Sequence, residues 1–386
     1  MDTRTFTKPS GQLVPDRYEG KEIFSFLPNP LPPKLDIGSE LNDEIGEANH
    51  KLGRLSGLGE RLPNPNLLIV PYLKREAVLS SRIEGTQVSL AEFLLLEAKG
   101  KATPQDELRG YTEVSNYVQA QNISLARVMK GKPIDIKLIL DAHRTLLSGV
   151  RGKERNLGAV RQRQNWIGIS GSRIERSRYI PPPYQLLPSL LMNLQGFIQH
   201  PQKGMNKLVQ CAIMHYQFEA IHAFEDGNGR LGRLLISLFL CEKGILSQPL
   251  LYLSAYIDKH KPEYYDRLLN VSTRSEWNEW IEFFIGALNA QSDETIKNVQ
   301  SLLVLKERYE ARLERKGGSL KAMTLTKELF SNPYLNNKRA MQILDVTPQT
   351  AQSTIEDLIE LRVLRQVEGR KRDRYYAAPE ILELLS

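Results

Sequence analysis

At 386 residues the chain is long enough for two or three domains of about 150 residues each. Its 41% hydrophobic and 25% charged residues exclude disorder over the whole length, and 26 Gly with 21 Pro are too few for a collagen-like chain. A net charge of +7, from 52 Lys and Arg against 45 Asp and Glu, admits a polyanionic partner without requiring one. Cys211 and Cys241 fall in apolar helical patterns and cannot make a disulfide framework or a structural zinc site, so a reducing compartment is expected. The N-terminus MDTRTFTKPSGQLVPDRYEG lacks an apolar signal region, and the run LLISLFL is far short of the roughly 20 residues that cross a bilayer. A soluble, cytoplasmic protein with no membrane partner is expected.

In chain order, the Pro-rich stretch up to about residue 36 reads as an extended arm packed on a domain. Apolar residues three and four apart then predict helices over 38–58, 71–97, 104–129, 134–149, 185–200, 204–221, 228–243, 262–270 and 275–291. The exception is 158–182, where Val160, Trp166, Ile167 and Ile169 precede a Gly-Ser turn and Ile174 and Tyr179 follow it, the pattern of a short hairpin projecting from a helical core. A charged, heptad-like stretch from Ser292 to Arg315 reads as one long helix stopped by Gly317-Gly318, where a domain boundary is placed. Helical pieces 324–331 and 337–344, a helix begun by Thr347-Pro348 and running to Leu361, and strands 363–367 and 373–377 follow in the order of a winged helix-turn-helix. The expected fold is mainly α, a helical bundle with a β-hairpin flap followed by that small domain.

Chemistry concentrates in His222 to Arg233, HAFEDGNGRLGR. Gly227-Asn228-Gly229 at a helix start presents unpaired backbone N–H groups, and the glycines let an anion approach the positive end of the helix dipole. Arg230 and Arg233, three apart on one helix face, are spaced to clamp successive phosphates, so a nucleoside triphosphate suits the loop better than a monophosphate. Asp226 offers one hard oxygen ligand, enough for a magnesium ion that takes its other ligands from phosphates and water. His222, with a pKa near neutrality, suits the removal of a proton from an attacking hydroxyl. Taken singly, a Gly-rich turn is also an ordinary connection between helices, and a histidine an ordinary structural residue.

The stretch resembles the Fic family, whose signature His-x-Phe-x-(Asp/Glu)-Gly-Asn-Gly-Arg-x-x-Arg is matched by His222, Phe224, Asp226, Gly227, Asn228, Gly229, Arg230 and Arg233. Ala223 stands where the family usually has Pro. The resemblance covers about 35–290 and implies transfer of AMP from ATP to a Ser, Thr or Tyr hydroxyl of a target protein or of the chain itself, with release of pyrophosphate. It makes His222 the general base, Asp226 the Mg2+ ligand and the span from Gly227 to Arg233, with Leu231 and Gly232, the nucleotide site. The hairpin 158–182 falls where the family has its flap, which pairs with the target by strand addition, and the resemblance implies that Asn165, Trp166, Ile167 and Gly168 line the nucleotide pocket. Tyr264 and Tyr265 resemble the tyrosine pair near adenine, and an aromatic pair in a helix is also ordinary core.

Upstream, Ser80-Ser81-Arg82-Ile83-Glu84-Gly85 fits the family's inhibitory pattern (Ser/Thr)-x-x-x-Glu-(Gly/Asn). A bidentate pair between Glu84 and Arg233 would occupy the guanidinium meant for the γ-phosphate and leave the α-phosphate misplaced for attack. The expected division is 1–97 for the arm and the helices including the inhibitory one, 98–291 for the catalytic core, 292–318 for the linker helix and 319–386 for the winged helix. Residues 362–374 carry six basic and two acidic side chains, so DNA is a candidate partner through 348–374, as are a docking protein and a second copy of the chain. A DNA-binding regulator with a nucleotide-sensing core is a second reading of the whole chain, and removal of AMP in the same pocket a third. A metal hydrolase built on His200, His215 and His222 lacks a ligand set at helix-compatible spacing.

Overall fold

The computed structural model describes residues 1–60, 66–100, 102–108, 110–150, 156–168, 173–200, 202–317, 319–368 and 374–385. The expected arm is instead a β-hairpin of β1 (Gly11–Tyr18) and β2 (Lys21–Pro28), paired antiparallel from Gly11 opposite Pro28 to Tyr18 opposite Lys21. Its turn, Glu19-Gly20, holds positive φ at both residues (49° and 78°), the twist a two-residue hairpin needs. Pro15 inside β1 and an Glu-Gly turn in place of Asn-Gly masked the hairpin in the sequence. Phe26, buried between Phe6 and Tyr179, donates its N–H to the carbonyl of Ile180 at 2.9 Å, so β2 leans on the segment 158–182.

Helix α1 (Ser39–Glu60) buries Ile45, Ala48, Leu52 and Leu55, the three-and-four spacing of one apolar stripe, against the late helix α12 (Trp277–Arg315). The single helix expected over 71–97 is broken into α2 (Asn66–Ile83) and α3 (Leu90–Lys99). Gly85 takes φ +103°, which a side chain resists, and Ser89 restarts the helix through a capping box with Glu92. The break leaves Glu84 just past the end of α2. A left-handed Gly110 likewise divides 104–129 into α4 (Pro104–Leu108) and α5 (Tyr111–Val128). Asp135 caps α6 (Ile136–Leu147), and α7 (Leu187–Gln199) follows. Helices α8 (Lys207–Ile221) and α9 (Asn228–Glu242) are buried on nearly every side, which puts the loop between them at the heart of the bundle.

After α10 (Ser254–Lys259) and α11 (Lys261–Arg274), the stretches expected as 275–291 and 292–315 form the one continuous helix α12. Then come α13 (Leu320–Ser331), β3 (Tyr334–Asn336), α14 (Asn337–Leu344), α15 (Pro348–Glu360), β4 (Arg365–Glu368), β5 (Tyr375–Ala377) and α16 (Pro379–Leu385). The strands make a sheet in the order β3-β5-β4, antiparallel throughout, and β3 was not read from the sequence. Residues 369–373 of the basic run lie outside the described residues. The apolar cluster of the helical body continues through Leu325, Leu329, Ile355 and Leu358. Lys74 of α2 joins the two parts, 2.6 Å from Glu97 of α3 and 3.2 Å from the carbonyl of Ser331. Among the described residues no helix is long and apolar enough to cross a membrane, and both cysteines are free and buried.

Truncating Phe26 to Ala should cost about 3 kcal/mol of stability, read from urea unfolding, because a fully buried ring packed between Phe6 and Tyr179 is removed. An unchanged midpoint would mean that the hairpin merely rests on the bundle.

Candidate functional site

The loop between α8 and α9 is shaped by its own backbone. Helix α8 stops because His222 takes a left-handed conformation (φ 46°), its N–H bonded to the carbonyl of Phe218 at 3.2 Å. Asn228 then staples the loop: its Oδ1 accepts the N–H of Phe224 at 3.0 Å, and its Nδ2 donates to the carbonyl of Phe224 at 2.8 Å. Gly227, also left-handed (φ 82°), opens α9 with no side-chain cap, so the first-turn N–H groups are presented to a ligand. Arg161, itself 1% exposed, holds the loop's entry by donating to the carbonyls of His222 (3.0 Å) and Pro182 (2.6 Å).

Beside the loop lies a cavity of about 740 Å³, within the range of nucleotide-sized sites, whose walls include Glu84, Trp166, His222, Gly229, Arg233 and Tyr265. The Nδ1–H of His222 donates to the carbonyl of Glu219 at 3.3 Å, which leaves Nε2 as the acceptor. Burial, followed by the nearby Arg161 guanidinium, lowers its pKa to about 4, below the near-neutral value expected from the sequence, so the ring is neutral at physiological pH and keeps a lone pair free.

Arg233, with a side chain 1% exposed, spends its guanidinium on the helix that bears Glu84. Its Nε donates to Ser80 Oγ at 2.9 Å, while one Nη donates both to the Ser80 carbonyl at 2.9 Å and to Glu84 Oε1 at 2.7 Å. The pair with Glu84 is therefore single-contact, not bidentate as expected, because Ser80 takes the other edge of the fork. Burial pushes the Glu84 carboxyl up, but Arg233, then Arg230 and Lys261, outweigh it and hold the pKa below its ordinary value. Glu84 lies so close over the loop that a Cβ at Gly229 would meet its Oε1 at 2.4 Å. Lys261 of α11 donates to the carbonyl of Ile83 and so caps the C-terminus of α2.

The remaining expected residues divide. Ile167 and Gly168 line the cavity with Trp166, and Tyr265 borders it, whereas Asn165 turns its Nδ2 to the carbonyl of Phe224 (3.0 Å) and braces the loop. Tyr264 reaches the cavity wall, yet it is buried, and its hydroxyl pairs with His215 Nε2 at 2.8 Å. Leu231 is core, and Gly232 makes room for Glu219, whose Oε1 a Cβ there would meet at 2.3 Å. Arg230 is 3% exposed, its Nη2 3.6 Å from Asp226 Oδ1; its Nε and Nη1 have no hydrogen-bond partner among the described residues. Asp226 Oδ1 accepts the N–H of Gly227 at 2.7 Å.

The expected two-stranded flap is one isolated bridge, Ile167 with Tyr179, plus a turn of 3₁₀ helix at Ile174–Arg176; 169–172 lie outside the described residues. His200, His215 and His222 do not converge, and no group of three or more potential metal ligands occurs among the described residues. Sequence reasoning passed over Arg161, Lys261 and Glu219. Burial raises the Glu219 carboxyl to about 7 beside Arg233, and its Oε1 has no hydrogen-bond partner among the described residues. No motif marks these three; they meet the loop through the fold.

The family description Fic/DOC family N-terminal matches residues 42–126, and Fic/DOC family matches 133–240. Curated relatives include the protein adenylyltransferase Fic of Culex quinquefasciatus, 30% identical over 209 residues, and that of Aedes aegypti, 31% identical over 217. Each match takes in 52% of this chain and 37% of the relative, so the chain spans well under half of their length. A crystal structure of a Fic family protein from Desulfovibrio desulfuricans G20 superposes with a TM-score of 0.56 at 20% identity, over 90% of this chain and 98% of that one. A Fic-1 fragment from C. elegans superposes at 0.52, also with 20% identity, over 68% and 72%. These likenesses speak for the fold.

The site's electrostatics are open to test by NMR. The imidazole of His222 should titrate with a midpoint near 4, remaining neutral at pH 6, where an ordinary histidine is mostly protonated. A midpoint at or above about 6.5 would mean that the ring is solvated rather than held in the wall.

Proposed function

The chain belongs to the Fic/DOC family, and from that premise we propose that it is a protein adenylyltransferase that moves AMP from ATP onto a Ser, Thr or Tyr hydroxyl of a protein. The observation that carries this reading is the neutral His222, its Nε2 left as acceptor in the wall of the cavity that Gly229 and Arg233 also line.

The target hydroxyl gives its proton to His222 Nε2 as its oxygen attacks the α-phosphorus. The bond from that phosphorus to the α,β-bridging oxygen breaks, and pyrophosphate leaves with the electron pair. Backbone N–H groups at the start of α9 and the buried Arg230 stabilise the charge that gathers on the phosphate oxygens. The donor set fits Mg2+: Asp226 with phosphate oxygens and water is the coordination the ion takes in phosphate sites. Such an ion would neutralise charge on the β- and γ-phosphates. Trp166 and Ile167 form an apolar part of the cavity wall.

The contact between Glu84 and Arg233 supports autoinhibition in this reading: while the carboxylate holds the guanidinium, the γ-phosphate lacks its partner and the α-phosphate is not aligned. The chain order α13-β3-α14-α15-β4-β5 supports a winged helix-turn-helix reading of the C-terminal part, beyond the core at 98–291 and the linker helix at 292–318.

With Mg-ATP labelled at the α-phosphate, Glu84→Gly should raise self- and target labelling by roughly tenfold or more. His222→Ala in that background should lower it by about a hundredfold or more. Labelling that survives the loss of His222 removes the base from this mechanism, and equal labelling with and without Glu84 removes the brake.

A further inference from the structure

His143 of α6 is 2% exposed, belongs to no motif, and touches both the loop between α8 and α9 and the start of the segment 158–182. Its Nε2 lies 3.0 Å from the carbonyl oxygen of Asp226, its Nδ1 accepts the N–H of Gly158 at 3.0 Å, and its ring stacks on Phe224 at 3.9 Å with an interplanar angle of 18°. The two bonds fix the ring's state. The Gly158 N–H can only donate, so Nδ1 is the bare nitrogen; the Asp226 carbonyl can only accept, so Nε2 carries the proton. Gly158 opens the segment 158–182 in a left-handed turn (φ 69°), and a Cβ there would meet the carbonyl oxygen of Leu140 at 2.9 Å. Asp226 is the carboxylate before the anion-binding glycines, and Gly227 packs beside the same ring, where an added Cβ would stand 3.7 Å from its Cδ2.

We infer that His143 is a positioning residue that clamps the phosphate loop to the root of the flap, and that through the carbonyl of Asp226 it sets where that residue's carboxylate points. The inference rests on the adenylyltransferase reading for what the carboxylate does, not for the clamp itself. A ring pinned at both nitrogens and on one face has one orientation. The peptide after Asp226 is thereby held in register with α6, and the carboxylate would meet a phosphate-bound Mg2+ without a search over loop conformations. His143 acts through Asp226 and touches no reacting atom. Groups that hold a ligating side chain in this way typically change metal affinity by about 10- to 100-fold when removed.

Two substitutions separate the nitrogens. The amide of His143→Gln reaches the position of Nε2 and can still donate to Asp226; that of His143→Asn reaches only the position of Nδ1 and can still accept from Gly158. In the full chain, calorimetry with the non-hydrolysable α,β-methylene analogue of ATP, over a series of Mg2+ concentrations, should show half-maximal Mg2+ raised about tenfold in His143→Asn and near wild type in His143→Gln. The melting temperature of each variant, taken alongside, checks that both are folded. A long-range ¹⁵N–¹H correlation spectrum of the wild type at neutral pH should show His143 protonated at Nε2 and bare at Nδ1. Equal shifts in the two variants, or a shift in neither, would overturn the positioning role, and a proton on Nδ1 would overturn the clamp. Should the chain fail to bind the analogue at any Mg2+ concentration even with Glu84→Gly, which frees Arg233, the adenylyltransferase reading falls, and the protonation state of His143 still decides the clamp.

Discussion

A guanidinium almost sealed from water must have partners, and Arg233 is such a group. Its position is set by α9, whose burial on nearly every side leaves the arginine nowhere to reach solvent. Its partners are the hydroxyl and carbonyl of Ser80 on α2 and the carboxylate of Glu84, just past the end of that helix. Glu84 is thus more than an obstruction in the pocket. It is the counter-charge of a buried cation, and any ligand that displaces it has to supply negative charge in the same place, which the tail of a triphosphate does. The same burial acts in the opposite sense on His222, where it favours the uncharged ring that the proposed chemistry needs.

The stripe on α2 that faces Arg233 is ordered by helical spacing. Glu76 and Ser80 stand four apart and so share one face, and Glu84 follows at the same spacing in the turn that ends the helix. Glu76 is buried and raised to about 7 by that burial, and it accepts from Tyr117 Oη at 3.1 Å and from Ser254 Oγ at 2.6 Å, which ties α2 to α5 and α10. Ser80 then meets the guanidinium, and Glu84, freed from the helix by Gly85, reaches over Gly229. One helix face carries an anchor and a guide, and the turn that follows it carries the carboxylate in the pocket.

The loop His222–Arg233 was legible because its residues are contiguous and their chemistry depends on a local backbone, a glycine-opened helix start. Glu84 was legible through its short pattern, although the way its contact is shared with Ser80 was not, since that depends on how α2 and α9 cross. Arg161, Lys261, His143 and Glu219 carry no local signal: their partners are distant in sequence and meet them only once α6, α8, α9 and α11 pack. The N-terminal hairpin escaped notice because Pro15 and an atypical turn hide a period of two, and β3 because three residues are too few to show a period. The continuous α2–α3 pattern misled for the opposite reason. Apolar spacing persists through the break, and the stop comes from the conformation of Gly85.

The tie between α2 and the C-terminal part lends that helix a second character. Near its middle, Lys74 grips Glu97 and the last carbonyl of α13; at its far end stands Glu84. The span from Lys74 to Glu84 is about 15 Å of unbroken helix and turn, stiff on the scale of a side chain. Helix α2 is therefore held at one point by the C-terminal part and ends, a few turns on, at the rim of the cavity that Glu84 lines.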